Sequence, residues 1–203
     1  MSINGRAAAP PSDDYEWDAF ISYKHEPELM GWIDKVIRRL QLWVSNELGG
    51  RHARIFFDTD SIDNGTRWPD RLRHAIRTSR CLVPILSPAY FQCRWCVTEW
   101  DSFIAREKLV SPSVALIVPM KYHDGDWLPP EAQEIQTLDL QDHCGTTDAF
   151  WRTASAHELD LKLRKFAHDV ARAILEAPPF RPDWPIAERE RDGQPTAVPS
   201  IRL

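Results

Sequence analysis

The strongest constraint on the fold of this chain is an alternation. Short apolar runs at Trp17 to Ser22, Arg54 to Phe57, Cys81 to Leu86 and Val114 to Met120, with a weaker one near Ile135 to Leu138, are separated by segments of helical period. That alternation implies βαβ units and a parallel sheet. Leu29, Trp32, Ile33, Val36, Ile37, Leu40, Val44 and Leu48 recur at spacings of three and four, so they predict one buried face of a long first helix, ended by Gly49 and Gly50. A second helix opens at Trp68-Pro69, with proline suited to the first turn, and buries Leu72, Ala75 and Ile76. A third covers about Trp95 to Lys108, and a last one runs from Glu158 to Leu175 on Leu159, Leu163, Phe166, Val170 and Ile174.

At 203 residues one domain is expected, over about residues 15 to 176. The small and polar residues 1–14 read as a flexible N-terminal segment. Residues 177–203, with prolines at 178, 179, 182, 185, 195 and 199, read as a flexible proline-rich tail. The formal net charge of −5 gives no general cationic field, which argues against nucleic acid and membrane surfaces as direct partners. No apolar stretch approaches the ~20 residues of a membrane helix, and the opening has no signal-peptide core. A cytoplasmic location is expected, with Cys81, Cys93, Cys96 and Cys144 reduced. Cys93 and Cys96 form a C-x-x-C, but without a second pair or nearby histidines neither a metal nor a redox role is assigned to them.

Open parallel sheets bind ligands beyond the carboxyl ends of their strands. There the first strand ends in Ser22-Tyr23-Lys24-His25, the second runs into Asp58 and the polar stretch through Asp63, Asn64 and Gly65, and the third stops at Ser87-Pro88. On the third helix, at about 100° per residue, Cys96, Trp100, Phe103 and Ile104 make a stripe, and Glu99 lies about 40° outside its margin. Position alone makes Glu99 a half-shielded carboxylate. Arg73, Arg77 and Arg80 are expected to share one face of the second helix, either solvated or in contact with a partner or ligand.

Three motifs in register add to this reading. Trp17-Asp18-Ala19-Phe20-Ile21-Ser22-Tyr23 resembles the first strand of a TIR (Toll/interleukin-1 receptor) domain. Phe56-Phe57-Asp58 followed by Gly65-Thr66-Arg67-Trp68 is similar to its second strand and BB loop. Ala75-Ile76, Ser79-Arg80, Leu86-Ser87-Pro88-Ala89-Tyr90 and Trp95-Cys96-Val97-Thr98-Glu99 resemble, in order and spacing, the family's box from second to third helix. The resemblance implies a flavodoxin-like α/β fold, a five-stranded parallel sheet of order 2-1-3-4-5 with helices on both faces. In many bacterial members it also implies an enzyme that cleaves NAD+ at the nicotinamide glycosidic bond, NAD+ being the substrate and no cofactor or metal being required.

By the same resemblance Glu99 matches the catalytic glutamate. Substrate contacts are expected among Phe20, Ser22, Tyr23, Lys24, His25, Asp58, Asp63, Trp68, Ser87 and Trp95. Lys24-His25 departs from the arginine pair of some members. Nicotinamide carries positive charge in NAD+ and leaves as a neutral base, so one fixed carboxylate can serve the oxocarbenium-like ribose without a general acid. Water capture gives ADP-ribose, and capture by the adenine ring gives a cyclic isomer. The family further implies self-association of TIR protomers, a separate sensor or effector protein, and a setting in antiphage defence.

Three other readings are weighed against this one. A non-catalytic TIR adaptor acting through TIR–TIR contacts has no need of Glu99. A phosphoacceptor receiver domain shares the strand order but wants acidic residues where Tyr23-Lys24 and Ser87-Pro88 stand. A nucleoside deoxyribosyltransferase-like enzyme suits a single glutamate but leaves the Trp-Cys-x-x-Glu box unexplained.

Overall fold

The apolar runs become five parallel strands in the computed structural model, which describes residues 14–57, 68–111, 114–123 and 128–187. They are β1 (Trp17–Tyr23), β2 (Ile55–Phe56), β3 (Ser79–Leu86), β4 (Met120–Lys121) and β5 (Leu138–Asp139), in the order 2-1-3-4-5. The central pair carries the longest register, from Trp17 opposite Ser79 to Tyr23 opposite Ile85. β4 is shorter than its apolar run. Leu82 and Ile117 form an isolated bridge, with Leu82 N–H donating to Leu116 O and Val118 N–H donating to Leu82 O. Pro84 of β3 then offers no N–H to Val118 O, and the ladder is interrupted until Ile85 pairs with Met120.

The helices are α1 (Met30–Glu47), α2 (Trp68–Thr78), α3 (Arg94–Val110), the short α4 (Pro130–Gln133) and α5 (Ala154–Leu175). Alternation along β1 assigns the two layers. Ala19 and Ile21 join the cluster containing Val36 and Leu40 of α1 and Leu163 and Val170 of α5. Phe20 joins Leu72 and Ile76 of α2 and Trp100 and Phe103 of α3 on the opposite face. Gly49 and Gly50 close α1 at φ of 72° and 84°. Gly50 N–H donates to Ser45 O across that left-handed turn, a conformation that glycine adopts without a Cβ clash.

Two expectations are corrected. Arg80 does not continue the α2 face: the helix ends at Thr78 and Arg80 already lies in β3. Its guanidinium stands 4.7 Å from the centre of the Tyr15 ring, and its Nε is 3.7 Å from the Asp18 carboxylate. The side chains of Thr78 and Ser79 donate back to His74 O and Ala75 O, which helps to stop the helix there.

The segment after residue 177 is not a free tail over its first ten residues. Trp184 is 2% exposed and donates from Nε1 to Tyr15 Oη, Tyr15 Oη donates to Pro178 O, and Ala187 N–H donates to Ser102 Oγ. The segment crosses the amino ends of the strands and covers Arg106 of α3, whose guanidinium stacks on Trp184 and donates to Ser79 O and Ile76 O. Burial lowers the Arg106 pKa to about 10. Between the apolar anchors Phe180, Trp184 and Ile186 the chain turns at Pro182-Asp183, with Trp184 N–H donating to Arg181 O, so the proline density marks a strap over residues 178–187. No described helix is long and apolar enough to cross a membrane.

Candidate active site

Ser22 is the last fully buried residue of β1 and points toward α3. β3 ends at Leu86, and Ser87-Pro88-Ala89 lead into a tight 3-10 turn at Tyr90–Gln92. Tyr90 N–H donates to Ser87 O at 3.0 Å, which folds that turn back under the end of β1. Cys93 then caps α3, placing Glu99 in the second turn of the helix.

These stops meet at one carboxylate. Ser22 Oγ donates to Glu99 Oε2, and Ser22 Oγ lies 2.6 Å from Tyr90 Oη. A hydroxyl has one proton, and Ser22 spends it on the carboxylate, so Tyr90 must be the donor to Ser22. The result is a directed chain from Tyr90 through Ser22 to Glu99. All three side chains are buried, Glu99 at 6% exposure, which is more shielding than the helical stripe alone predicts. Burial, then the neighbouring Cys96 and Glu99, raise the Tyr90 pKa well above its usual value, so the phenol stays protonated as a donor.

Lys24 follows β1 and is half-buried, as are Tyr23 and His25. Its charge favours the ionised form of both Cys93 and Cys96. Tyr23 points to the other face of the sheet and packs on Phe57 with ring centres 5.2 Å apart. Ser87 is 1% exposed, and its Oγ makes no hydrogen bond of good geometry. Tyr122, after β4, lies close enough to the Ser87 hydroxyl for it to favour the phenolate weakly, but burial dominates and raises the phenol. Trp95, half-buried, stands beside Arg94, whose guanidinium lies 5.8 Å from the ring centre.

Of the expected site residues, Glu99, Ser22, Lys24 and Ser87 therefore gather at the carboxyl ends of β1 and β3. Phe20 does not join them: it is 1% exposed and stacked on Phe56 at 5.0 Å, in the core beneath the site. Asp58, Asp63 and the side chain of Trp68 lie outside the described residues. Sequence reasoning did not single out Tyr90. Its signal was the Ser-Pro-Ala-Tyr run after an apolar strand, which places a phenol one turn beyond the strand end.

A groove of about 420 Å³ between the β4–β5 edge and α5 is large enough for a small molecule. Its walls, including Ile117, Thr137, Lys162, Phe166 and Arg172, hold none of these residues, so the chemistry and not the volume locates the candidate site. Among the described residues no group of three His, Cys, Asp or Glu side chains is placed to hold a metal ion.

A family model described as "TIR domain" matches residues 19–154. Among solved structures, the TIR domain of the Toll-related receptor TRR-2 from Hydra magnipapillata is 18% identical, with 73% of this chain and 98% of that chain covered and a TM-score of 0.42. The TIR domains of the activated Roq1 resistosome, described as directly recognizing the pathogen effector XopQ, are 20% identical, with 77% and 84% covered and a TM-score of 0.36. No curated protein matches the chain.

Proposed function

Because the chain belongs to the TIR domain family, we propose that it cleaves NAD+ at the nicotinamide–ribose bond, releasing nicotinamide and either ADP-ribose or a cyclic ADP-ribose isomer. The observation that carries this reading is the Glu99 carboxylate, 6% exposed at the carboxyl edge of the sheet and held there by the Ser22 hydroxyl. Burying a carboxylate is costly unless it is hydrogen-bonded, and a packing role would be met more cheaply by an apolar residue.

Departure of neutral nicotinamide leaves positive charge spread over ribose C1 and its ring oxygen. A carboxylate about 4 Å from that charge, at an effective dielectric constant near 20, contributes about 4 kcal/mol, or roughly a thousandfold in rate. Ser22 donates to one oxygen and so fixes the direction of the carboxylate, while Tyr90 fixes Ser22. Such preorganisation is worth most in a poorly hydrated site. Lys24 supplies positive charge for a pyrophosphate, and His25, Ser87 and Trp95 are the proposed neighbours of the ribose and base. On this reading the protein works in the cytoplasm as a self-associating assembly, answers to a separate sensor or effector protein, and serves bacterial antiphage defence.

The test is nicotinamide release from NAD+ by the full chain, with the products resolved by mass and chromatography. Glu99→Gln keeps the volume and an acceptor for Ser22. It should lower turnover about a thousandfold while leaving the melting temperature close to that of the wild type. Equal turnover by the two proteins, or none by the wild type when concentrated to drive self-association, overturns the reading and leaves a TIR–TIR signalling module.

A further inference from the structure

The mechanism above makes no use of Cys93 and Cys96. Cys93 is the N-cap of α3, with φ of −86° and ψ of 113°, and Cys96 is the third residue of the helix proper. Cys93 is half-buried and reachable from solvent, whereas Cys96 is 2% exposed. Cys96 follows three residues on, on the same face of the first turn, with its thiol close enough to Cys93 Sγ to favour the ionised form there. The N–H groups of Trp95 and Cys96 also favour a negative sulfur, although neither is aligned well enough to form a cap bond. Lys24 lends its charge across from the end of β1.

These effects outweigh burial and bring the Cys93 thiol down to about 6, led by the neighbouring Cys96 thiol. The same contact, then burial, the Glu99 charge and the Cys93 charge push the Cys96 thiol up. The other two cysteines are of a different kind. Cys81 is fully buried in the sheet and its thiol is pushed up, chiefly by burial. Cys144 is half-buried and is raised to about 11 by burial and then by Glu26.

We propose that Cys93 and Cys96 form a redox-active dithiol, an outer attacking cysteine and a buried resolving one, that small-molecule disulfides oxidise to an intramolecular disulfide. The thiolate of Cys93 attacks one sulfur of a disulfide such as oxidised glutathione, forming a mixed disulfide and expelling one glutathione thiolate. That step removes the thiolate which held the proton on Cys96. Cys96 then loses its proton to solvent and attacks Cys93 Sγ, closing the Cys93–Cys96 bond and expelling the second glutathione thiolate. Two electrons pass from the protein to the oxidant, and the two glutathione thiolates take up protons.

The absence of a third metal ligand among the described residues favours this redox role over half of a zinc site. The site stands whether or not Glu99 is catalytic. Its oxidation state is nevertheless written into the helical turn that carries Glu99, because Cys96 and Glu99 are three residues apart on one face.

The experiment equilibrates the full chain with mixtures of oxidised and reduced glutathione, quenches with acid, alkylates the remaining thiols and maps the peptides by mass. A disulfide confined to the Cys93–Cys96 peptide, with Cys81 and Cys144 still alkylated, is the expected result. Cys96→Ala should accumulate glutathione on Cys93, and Cys93→Ser should leave Cys96 unmodified. In the reduced protein at neutral pH, Cys93 should alkylate roughly fifty times faster than Cys144, after allowing for the weaker nucleophilicity of the more acidic thiol. Lys24 and Cys96 act on the Cys93 thiol directly, Glu99 acts through Cys96, and the buried Tyr90 phenol faces both cysteines. Alkylation of Cys93 no faster than Cys144, or oxidation that links Cys93 to any cysteine other than Cys96, overturns the proposal. Because the wild type alone gives both readouts, the proposal remains testable even if the Cys96 variant fails to fold.

Discussion

Asp18, at the start of β1, is replaced by asparagine to test what fixes the strand that carries Ser22. Its side chain is 0% exposed. Arg51 donates to both carboxylate oxygens, at 2.8 and 3.0 Å, and the Arg54 backbone N–H donates at 2.8 Å. Arg54 and Arg80 add charge at 3.7 Å each. Although no carboxylate surface reaches solvent, guanidinium groups crowd it, so its surroundings are strongly polar. Burial would raise the Asp18 pKa, but Arg51, the Arg54 N–H and the remaining charge outweigh it and hold the group below its usual 3.8.

The asparagine side chain lacks the charge and turns an N–H₂ donor toward guanidinium donors. Removing one partner of a buried pair costs about 3–5 kcal/mol. Arg51 is 49% exposed and can turn to water, which brings the expected cost to about 3 kcal/mol. At about 2–4 °C per kcal/mol for a domain of this size, the melting temperature should fall by roughly 6–12 °C. Circular dichroism melts of Asp18→Asn measure it, with Asp34→Asn as a control, since its partner Arg38 has a side chain 74% exposed and little is at stake there.

The pH dependence gives the sign. A depressed pKa means that the contribution of Asp18 is complete above its unfolded value and is lost as pH falls through the folded one. The gap between wild type and Asp18→Asn should therefore be constant near neutrality and close progressively below pH 3.8. A melt within the error of the wild type, or a gap that widens on acidification, would refute this account of Asp18.

Tyr90→Phe removes the donor to Ser22 from a buried chain. It should cost about 1–2 kcal/mol in urea denaturation, and in the nicotinamide assay it should lower kcat more than it changes KM, because Ser22 no longer fixes the carboxylate. Trp184→Ala opens a void between Tyr15 and Arg106 and ends the ring contact at 4.9 Å. A loss of about 3–5 kcal/mol is expected in the same denaturation series, whereas a merely solvated tail would give no change.

The sequence made the strands and α1 legible because dense apolar runs and a strict three-to-four period leave little choice of buried face. It misread Arg80 because a helical period does not say where a helix ends. The side chains that help to end α2, Thr78 and Ser79, do so by bonding backward to carbonyls, which a pattern of apolar spacings does not register. β4 was read too long because apolarity along Val114 to Met120 does not register the donor missing from the neighbouring strand at Pro84. The strap over residues 178–187 was read as solvent-exposed because prolines dominate its composition, while Trp184 carries most of its anchoring.

Glu99 marks the boundary of what periodicity can reveal. The stripe on α3 was expected to run through Cys96, Trp100, Phe103 and Ile104, yet Ile104 is only half-buried while Val97, Thr98, Glu99, Ser102 and Arg106 are buried. The strap accounts for Ser102 and Arg106, which it covers from outside. Glu99 is covered from the sheet side, by Ser22, which lies 77 positions away in sequence, with Tyr90 behind it 68 positions from Ser22. Contacts over such separations leave no trace in helical spacing, but they decide whether a carboxylate meets water or a fixed donor. One turn before Glu99, α3 opens at the N-cap residue Cys93, whose thiol acidity depends on a second thiol one turn along and on Lys24 at the end of β1. A helix that begins at the carboxyl edge of a parallel sheet thus brings its N-terminal N–H groups, a soft nucleophile and a buried carboxylate into one place, because the strand ends fix its first turns.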